Sequence, residues 1–217
     1  MRLIDKANDL NAKFVVALDG PSAAGKGLIG RLVAEKFGLV YVQSSIVYRG
    51  LAYVCMMAGI SADDEGGIIE LSASSDVITE VEGVDLNIEA IGEFASKLSV
   101  IQEVRENLGV YLINLIRNTP RIIMEGRDIG TVVAPNADLK IFITANVEVR
   151  AKRRFKQLQD EGKDCILSDV LKLLKSRDDR DSTRAAAPLK AASDALLIDT
   201  SDLPPEEVLQ KIVNFML

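Results

Sequence analysis

Residues Phe14–Gly30 read FVVALDGPSAAGKGLIG. The first five, Phe14 to Leu18, form a short apolar run with the length and composition of a buried strand. A turn of small residues follows, then a single cation, Lys26, then a pattern with helical spacing. Gly20–Lys26, GPSAAGK, fits G-x-x-x-x-G-K between a predicted strand and a predicted helix. The pattern has a physical cause. A phosphate needs several backbone N–H groups aimed at one point, and glycine permits the backbone that aims them. The N-terminus of the next helix adds a dipole that favours anions, and Lys26 can reach the outer phosphates as a point charge. The plainer alternative is a glycine-rich strand-to-helix turn with a solvated lysine. The strict pattern ends in a Ser or Thr whose hydroxyl meets Mg²⁺. Here Gly27 and Leu28 follow Lys26, so either the metal is held by water and carboxylates or the site is weakened.

Similar apolar runs recur at 39–42 (LVYV), 121–124 (RIIM), 139–144 (LKIFIT) and 195–198 (ALLI). Helix-patterned segments separate them, which predicts a parallel sheet covered on both faces. Residues 60–100 read as an insertion that interrupts the sheet. MAGISADDEGG carries loop signals, and residues 72–92 alternate apolar and polar side chains, with Gly83 near a turn, as a small hairpin would. Helical patterns resume through EFASKLSVIQEVRENLGVYLINLI. Residues 146–182 are strongly charged and helical, and DLPPEEVLQKIVNFML predicts a last helix opened near Asp202 or Pro204.

Composition narrows the chemistry. At 217 residues the chain suits one domain carrying at most a smaller insertion. Lys and Arg number 26 against 32 Asp and Glu, a net charge of −6. That balance argues against a general nucleic-acid binder and leaves room for a local basic pocket. Cys55 and Cys165 stand far apart without CxxC spacing, which suits structural thiols in a reducing cytoplasm. The chain has no histidine, which removes Ser-His-Asp and Cys-His catalysis and any His-ligated zinc. The charged opening lacks a signal-peptide pattern, and no run approaches the roughly 20 apolar residues of a membrane span.

Two further segments carry charge in a pattern. In MEGRDIGTVVAP (124–135), Glu125, Arg127 and Asp128 lie just past a predicted strand's C-terminal end, where open α/β sheets bind ligands. Glu125 can orient metal-bound water, Arg127 can grip a phosphate, and Asp128 can accept from a base amino group. A surface turn with an internal ion pair is the alternative. SRDDRDSTRAAAP (176–188) holds Arg177, Arg180, Asp181 and Arg184, and EVRAKRRFKQ (148–157) adds Arg150, Arg153 and Arg154. Such runs are often solvated helix faces. Arginines are also the preferred clamps for phosphate oxygens, so two such segments in an acidic chain suggest a focused basic pocket.

With these segments in order, the chain resembles the bacterial cytidylate kinases, the CMP/dCMP kinase family of P-loop nucleoside monophosphate kinases. The likeness runs from about Phe14 to Leu217 and is carried by DGPSAAGKG, SSIVYR, GRDIGTVVAPNADLKIFITA, RAKRRFKQLQ and RDDRDSTRAAAPL. It implies an α/β P-loop fold of three layers, with a five-stranded parallel sheet, an inserted small substrate-binding domain and a lid. The core would be residues 1–59 and 101–217, the lid about 146–182, and the inserted monophosphate-binding domain 60–100. It implies phosphoryl transfer from ATP to CMP or dCMP with Mg²⁺, by a cytoplasmic monomer that binds neither nucleic acid nor membrane.

By the same resemblance, Gly20, Pro21, Ser22, Ala23, Ala24, Gly25, Lys26, Gly27 and Leu28 would cradle ATP. Arg49 and Arg127 would hold the CMP phosphate, and Ser44, Arg105, Asp128 and Arg184 would surround the cytosine. Ser96, Arg177 and Asp181 would lie near sugar and phosphate. Arg150, Arg153 and Arg154 would belong to the lid; Lys26, Arg127, Arg177 and Arg153 would carry the catalysis, and Glu125 would meet the metal through water. The chain departs from the family at three positions: Leu28 replaces a threonine, Gln43 an aspartate and Ser45 a glycine. A kinase for another small substrate, or a nucleotide-binding module whose catalysis is weakened or lost through Leu28, are the rival readings. The kinase reading requires Arg49, Arg127 and Arg177 to converge beside the glycine turn rather than scatter over separate surfaces.

Overall fold

The computed structural model describes residues 2–74, 81 and 83–217. Strand β1 (Phe14–Asp19) forms the middle of a five-stranded sheet. It lies between β3 (Arg121–Gly126) and β4 (Leu139–Thr144), with β2 (Val40–Gln43) and β5 (Leu196–Asp199) at the edges. All pairings are parallel, with Asp19 opposite both Gly126 and Phe142. The five apolar runs are thus the five strands, shifted by a residue or two at some ends.

The continuous apolar character of β1 follows from its place: all six of its residues are buried. Side chains alternate across the sheet. Phe14, Val16 and Leu18 pack with Ile29 and Val33 of α2 (Lys26–Phe37) and Ile212 of α9 (Pro205–Met216). Val15 and Ala17 face Leu51 of α3 (Ser45–Met57), Leu98 of α5 (Glu89–Leu98) and Leu108 of α6 (Gln102–Asn118). Each such side chain taken from water contributes roughly 1.5–3 kcal/mol. Chain direction makes the carboxyl ends of all five strands share one edge, and the strand order reverses beside β1, where the glycine turn emerges.

The insertion is helical where it is described. α4 (Glu65–Ser72) is capped by the Asp64 side chain, which accepts from the Gly67 N–H at 3.0 Å. Part of the expected hairpin over 72–92, residues 75–80 and 82, lies outside the described residues, and no described residue of that span is in a strand. Its end is not a strand, because Glu89 opens α5. There Ile91, Phe94, Ala95 and Leu98 recur at helical spacing and are all buried, so a 3.6-residue period wins over the short alternation before it. Beyond β4, α7 (Val147–Asp160) and α8 (Leu167–Thr183) pair through Ala151, Leu158, Val170 and Leu174. No helix of the described residues is long and apolar enough to cross a membrane.

Arg121, the first residue of β3, ties three segments together. Its guanidinium donates to the carbonyls of Ala7, at 2.7 Å, in α1 (Leu3–Asn8), Asp9 at 2.6 Å, Ala12 at 3.1 Å, Gly38 at 3.3 Å, and Phe37. These include carbonyls left over at the ends of α1 and α2. Arg121→Ala is expected to lower stability by about 2 kcal/mol, measured by urea unfolding, with substrate affinities unchanged because the cluster lies at the amino end of the sheet.

Candidate active site

The glycine turn is built by backbone conformations that few side chains allow. Gly20 has φ +147°, and a Cβ there would sit 1.9 Å from the carbonyl oxygen of Ile143. Gly25, at φ +96°, is the N-cap of α2. Ala23 takes φ +60° without being glycine, a strain of about 1–2 kcal/mol of the kind functional turns retain. The turn is held from below: the Ala24 carbonyl accepts from Thr200 Oγ1 at 3.0 Å and the Ser22 carbonyl from Arg150 at 3.2 Å.

Lys26 is buried in the first turn of α2, where its ammonium donates to the Pro21 carbonyl at 2.8 Å. Burial, and then the charge of Arg127, bring its pKa down to about 7, against the pull of Glu125, Asp19 and Asp181. Ala23, Gly25, Lys26, Gly27 and Leu28 line one pocket with Glu125 and Arg153. Leu28 is 46% exposed there and offers no hydroxyl. Glu125 accepts from the Tyr41 hydroxyl, which in turn accepts from Gln43 Nε2 at 2.9 Å. Gln43 therefore serves as a donor that orients Tyr41, where a carboxylate could only accept.

A second pocket opens beside the first, and it gathers every substrate-side residue that the sequence singled out. Ser44, at the start of α3, and Arg49, one turn further on, form one wall. Ser96 of α5 and Arg105 of α6 form another. Arg127 and Asp128, just past β3, supply the floor, and Arg177, Asp181 and Arg184 come from the end of α8. Arg127 ties this pocket to the glycine turn: it donates from Nη2 to Ser22 Oγ at 2.6 Å and from Nε to Asp181 at 2.9 Å. Arg49, Arg127 and Arg177 therefore converge, as the kinase reading requires.

The electrostatics of this pocket are those of an anion site. Burial, then the charge of Arg177, lowers the pKa of Arg49; burial, then Arg127, lowers that of Arg177. Arg177 Nε is buried with no hydrogen-bond partner among the described residues. Deeper in, Asp128 meets two guanidinium groups. Arg105 donates to its Oδ2, and Arg184 Nη2 lies 3.7 Å from its Oδ1, too far for a hydrogen bond. The three side chains are at most 8% exposed. Arg105 also stands over the Tyr48 ring, 5.6 Å from its centroid.

Sequence reasoning missed several contributors. Gly92 makes room for Arg49: a Cβ there would lie 2.8 Å from Nη2. Tyr48 and Ser99 line the pocket, and Arg180 donates to Ser96 Oγ at 2.6 Å and to Glu93 at 3.0 Å. Arg180 stood in the arginine run, though its partners are 84 and 87 residues away in sequence; Gly92, Tyr48 and Ser99 had no local signal. Arg150, which the resemblance puts in the lid, shares one face of α7 with Arg153 and Arg154 at i, i+3 and i+4 spacing; of the three it alone is buried, donating to the Ala145 carbonyl at 2.8 Å and pairing with Asp178 at 2.7 Å. Arg153 binds the Thr200 hydroxyl at 3.1 Å and its carbonyl, and Arg154 binds Glu89 at 2.7 Å.

A parallel sheet with a glycine turn at its switch point, a buried lysine in the turn and a neighbouring arginine pocket defines a P-loop kinase. The chain belongs to the cytidylate kinase family. The family model described as cytidylate kinase matches residues 16–216. A cytidylate kinase of Rickettsia akari (strain Hartford) is 55% identical over 97% of this chain and 95% of its own length. That of Rickettsia bellii (strain OSU 85-389) is 55% identical over 99% and 98%. Among solved structures, an uncharacterized protein from Eubacterium ventriosum ATCC 27560 superposes with a TM-score of 0.55 at 12% identity, over 94% of this chain and 98% of that one, a likeness of fold.

Proposed function

We propose that the enzyme transfers the γ-phosphoryl group of ATP to CMP or dCMP, giving ADP and CDP or dCDP. The observation that carries this reading is the bridge from the arginine pocket to the glycine turn, made by the Arg127 hydrogen bond to Ser22 at 2.6 Å. The turn amides and Lys26 take the triphosphate of ATP. Arg49, Arg127 and Arg177 take the phosphate of CMP, and Ser96 and Asp181 face its sugar. Ser44, Arg105, Asp128 and Arg184 read the cytosine; an unpartnered Asp128 or Arg184 would penalise a wrong base. An oxygen of the CMP phosphate attacks the γ-phosphorus in line; the new P–O bond forms as the bond to the ADP oxygen breaks. Lys26 and the arginines spread the charge that shifts between them, with Arg153 on the ATP side.

Among the described residues no group of three or more His, Cys, Asp or Glu could hold a metal. Mg²⁺ carried on the nucleotide phosphates would suit this site, where Glu125 could accept from its water and the ion would supply neutralising charge to the phosphate oxygens. We read 60–100 as the monophosphate-binding insert and about 146–182 as the lid on the core of 1–59 and 101–217. The placement of α5 and α8 on either side of the substrate pocket supports that division. A cytoplasmic monomer working on free nucleotides in pyrimidine metabolism, without nucleic acid, accords with the net charge of −6 and two free thiols. A silent module or a kinase for an unrelated metabolite is not favoured by a cytidylate kinase family match over residues 16–216.

A coupled assay of ADP release with CMP, dCMP, UMP and AMP tests the reading. Turnover with CMP or dCMP well above AMP is expected; strong turnover with AMP and none with CMP rejects it. Proton linkage gives a further check. With a pKa of about 7, free Lys26 is mostly neutral at pH 8, and a bound triphosphate restores its proton. ATP binding is expected to take up most of one proton at pH 8 and little at pH 6, so affinity falls as pH rises above about 7. Calorimetry in buffers of different ionisation heat measures it, and the uptake should vanish in Lys26→Ala.

A further inference from the structure

We propose that Asp19 is the positioning residue that locks the CMP-binding turn to the ATP-binding turn. This inference rests on the kinase reading above. Asp19 is the last residue of β1, and the next residue, Gly20, begins the glycine turn. Its side chain reaches the turn that follows β3. One carboxylate oxygen accepts from the Ile129 N–H at 2.8 Å and the other from the Gly130 N–H at 2.7 Å. These amides open the π-helical turn Ile129–Val133, directly after Arg127 and Asp128. Asp19 is 4% exposed. Burial, opposed by the two N–H bonds, raises its carboxyl to about 6, so it is ionised at neutral pH and both oxygens accept.

The two amides have few other partners to turn to. They are the first N–H groups of a helical turn and so lack intrahelical acceptors. A carboxylate offers each amide its own oxygen; a side-chain amide or a hydroxyl has one acceptor oxygen, and a methyl has none. The covalent chain fixes Asp19 to the donor loop, and its side chain fixes the acceptor turn. Arg127 closes the same seam from the pocket side through Ser22. In-line transfer tolerates little error between the two phosphates, and a shift near 1 Å costs about 100-fold. Asp19 thus sets the distance and angle between two sites that β1 and β3 only place in adjacent register.

The test is the Asp19→Asn variant, which keeps size and shape but turns an NH₂ toward one amide, together with Asp19→Ser, which removes that repulsion. In steady-state assays of ADP release, KM for CMP is expected to rise at least tenfold and kcat to fall by a similar factor, with KM for ATP within twofold of wild type. Calorimetry on the same proteins should show ATP binding retained, which also reports folding. If either folded variant keeps wild-type constants for CMP, the proposal is overturned. Equal losses for ATP and CMP overturn it too, because they mark general damage to the glycine turn. No turnover of CMP by the wild-type enzyme would instead remove the kinase reading, and this inference with it.

Discussion

Lys26→Ala is expected to lower kcat about 1,000-fold while leaving the melting temperature unchanged or higher. The two effects have separate causes. The ammonium is desolvated, and its pKa of about 7 records how poorly the free protein tolerates the charge. Removing it therefore costs the fold little beyond the hydrogen bond to Pro21. In the transition state the same desolvation works in the enzyme's favour. Charge moving onto the bridging and γ-oxygens meets a fixed cation in a site with little water, where one such donor is worth about 10²–10³ in rate, and a full charge stands at the upper end. Coupled assays with thermal unfolding measure both. A variant that keeps more than a tenth of the wild-type rate would place the triphosphate elsewhere.

Asp128→Ala is expected to be the most destabilising single change in the substrate pocket, by about 3–5 kcal/mol. Asp128 is the carboxylate between Arg105 and Arg184, and none of the three side chains exceeds 8% exposure. Its loss leaves two buried guanidinium groups facing each other without a counter-charge, the situation in which breaking a buried pair is most costly. Urea unfolding of the ligand-free enzyme measures the loss. Asp128→Asn, which keeps an acceptor oxygen, should lose less stability than alanine but still weaken CMP relative to ATP. A loss below about 1 kcal/mol for alanine would show that Arg105 and Arg184 find other partners. The fold would then owe nothing to the group we assign to base reading.

These expectations divide between what was legible in the chain and what was not. GPSAAGK announced its strand, turn and helix, and GRD at the end of RIIM announced a ligand edge. Both signals are local: glycine dihedrals and a period of two survive in a linear reading. The end of the supposed hairpin failed for a related reason. A few residues of alternation before Glu89 outvoted the helical spacing of Ile91, Phe94, Ala95 and Leu98 that follows. Arg150 looked like Arg153 and Arg154 in a charge run and shares their face of α7, yet of the three it alone is buried, where it donates to the Ser22 carbonyl, and that depth depends on what packs against the helix.

By itself the sequence settled the parallel α/β architecture, the phosphate turn and the family's order of motifs, because strand period, glycine freedom and residue chemistry are properties of neighbouring residues. Only the tertiary structure decided that Asp19 would hold Ile129 and Gly130, that Gly92 would clear space for Arg49, and that Arg180 would bind Ser96. Those partners are tens of residues or more apart along the chain. Which of them meet depends on strand order and helix phase, and these are set by burying two apolar faces of one sheet at once.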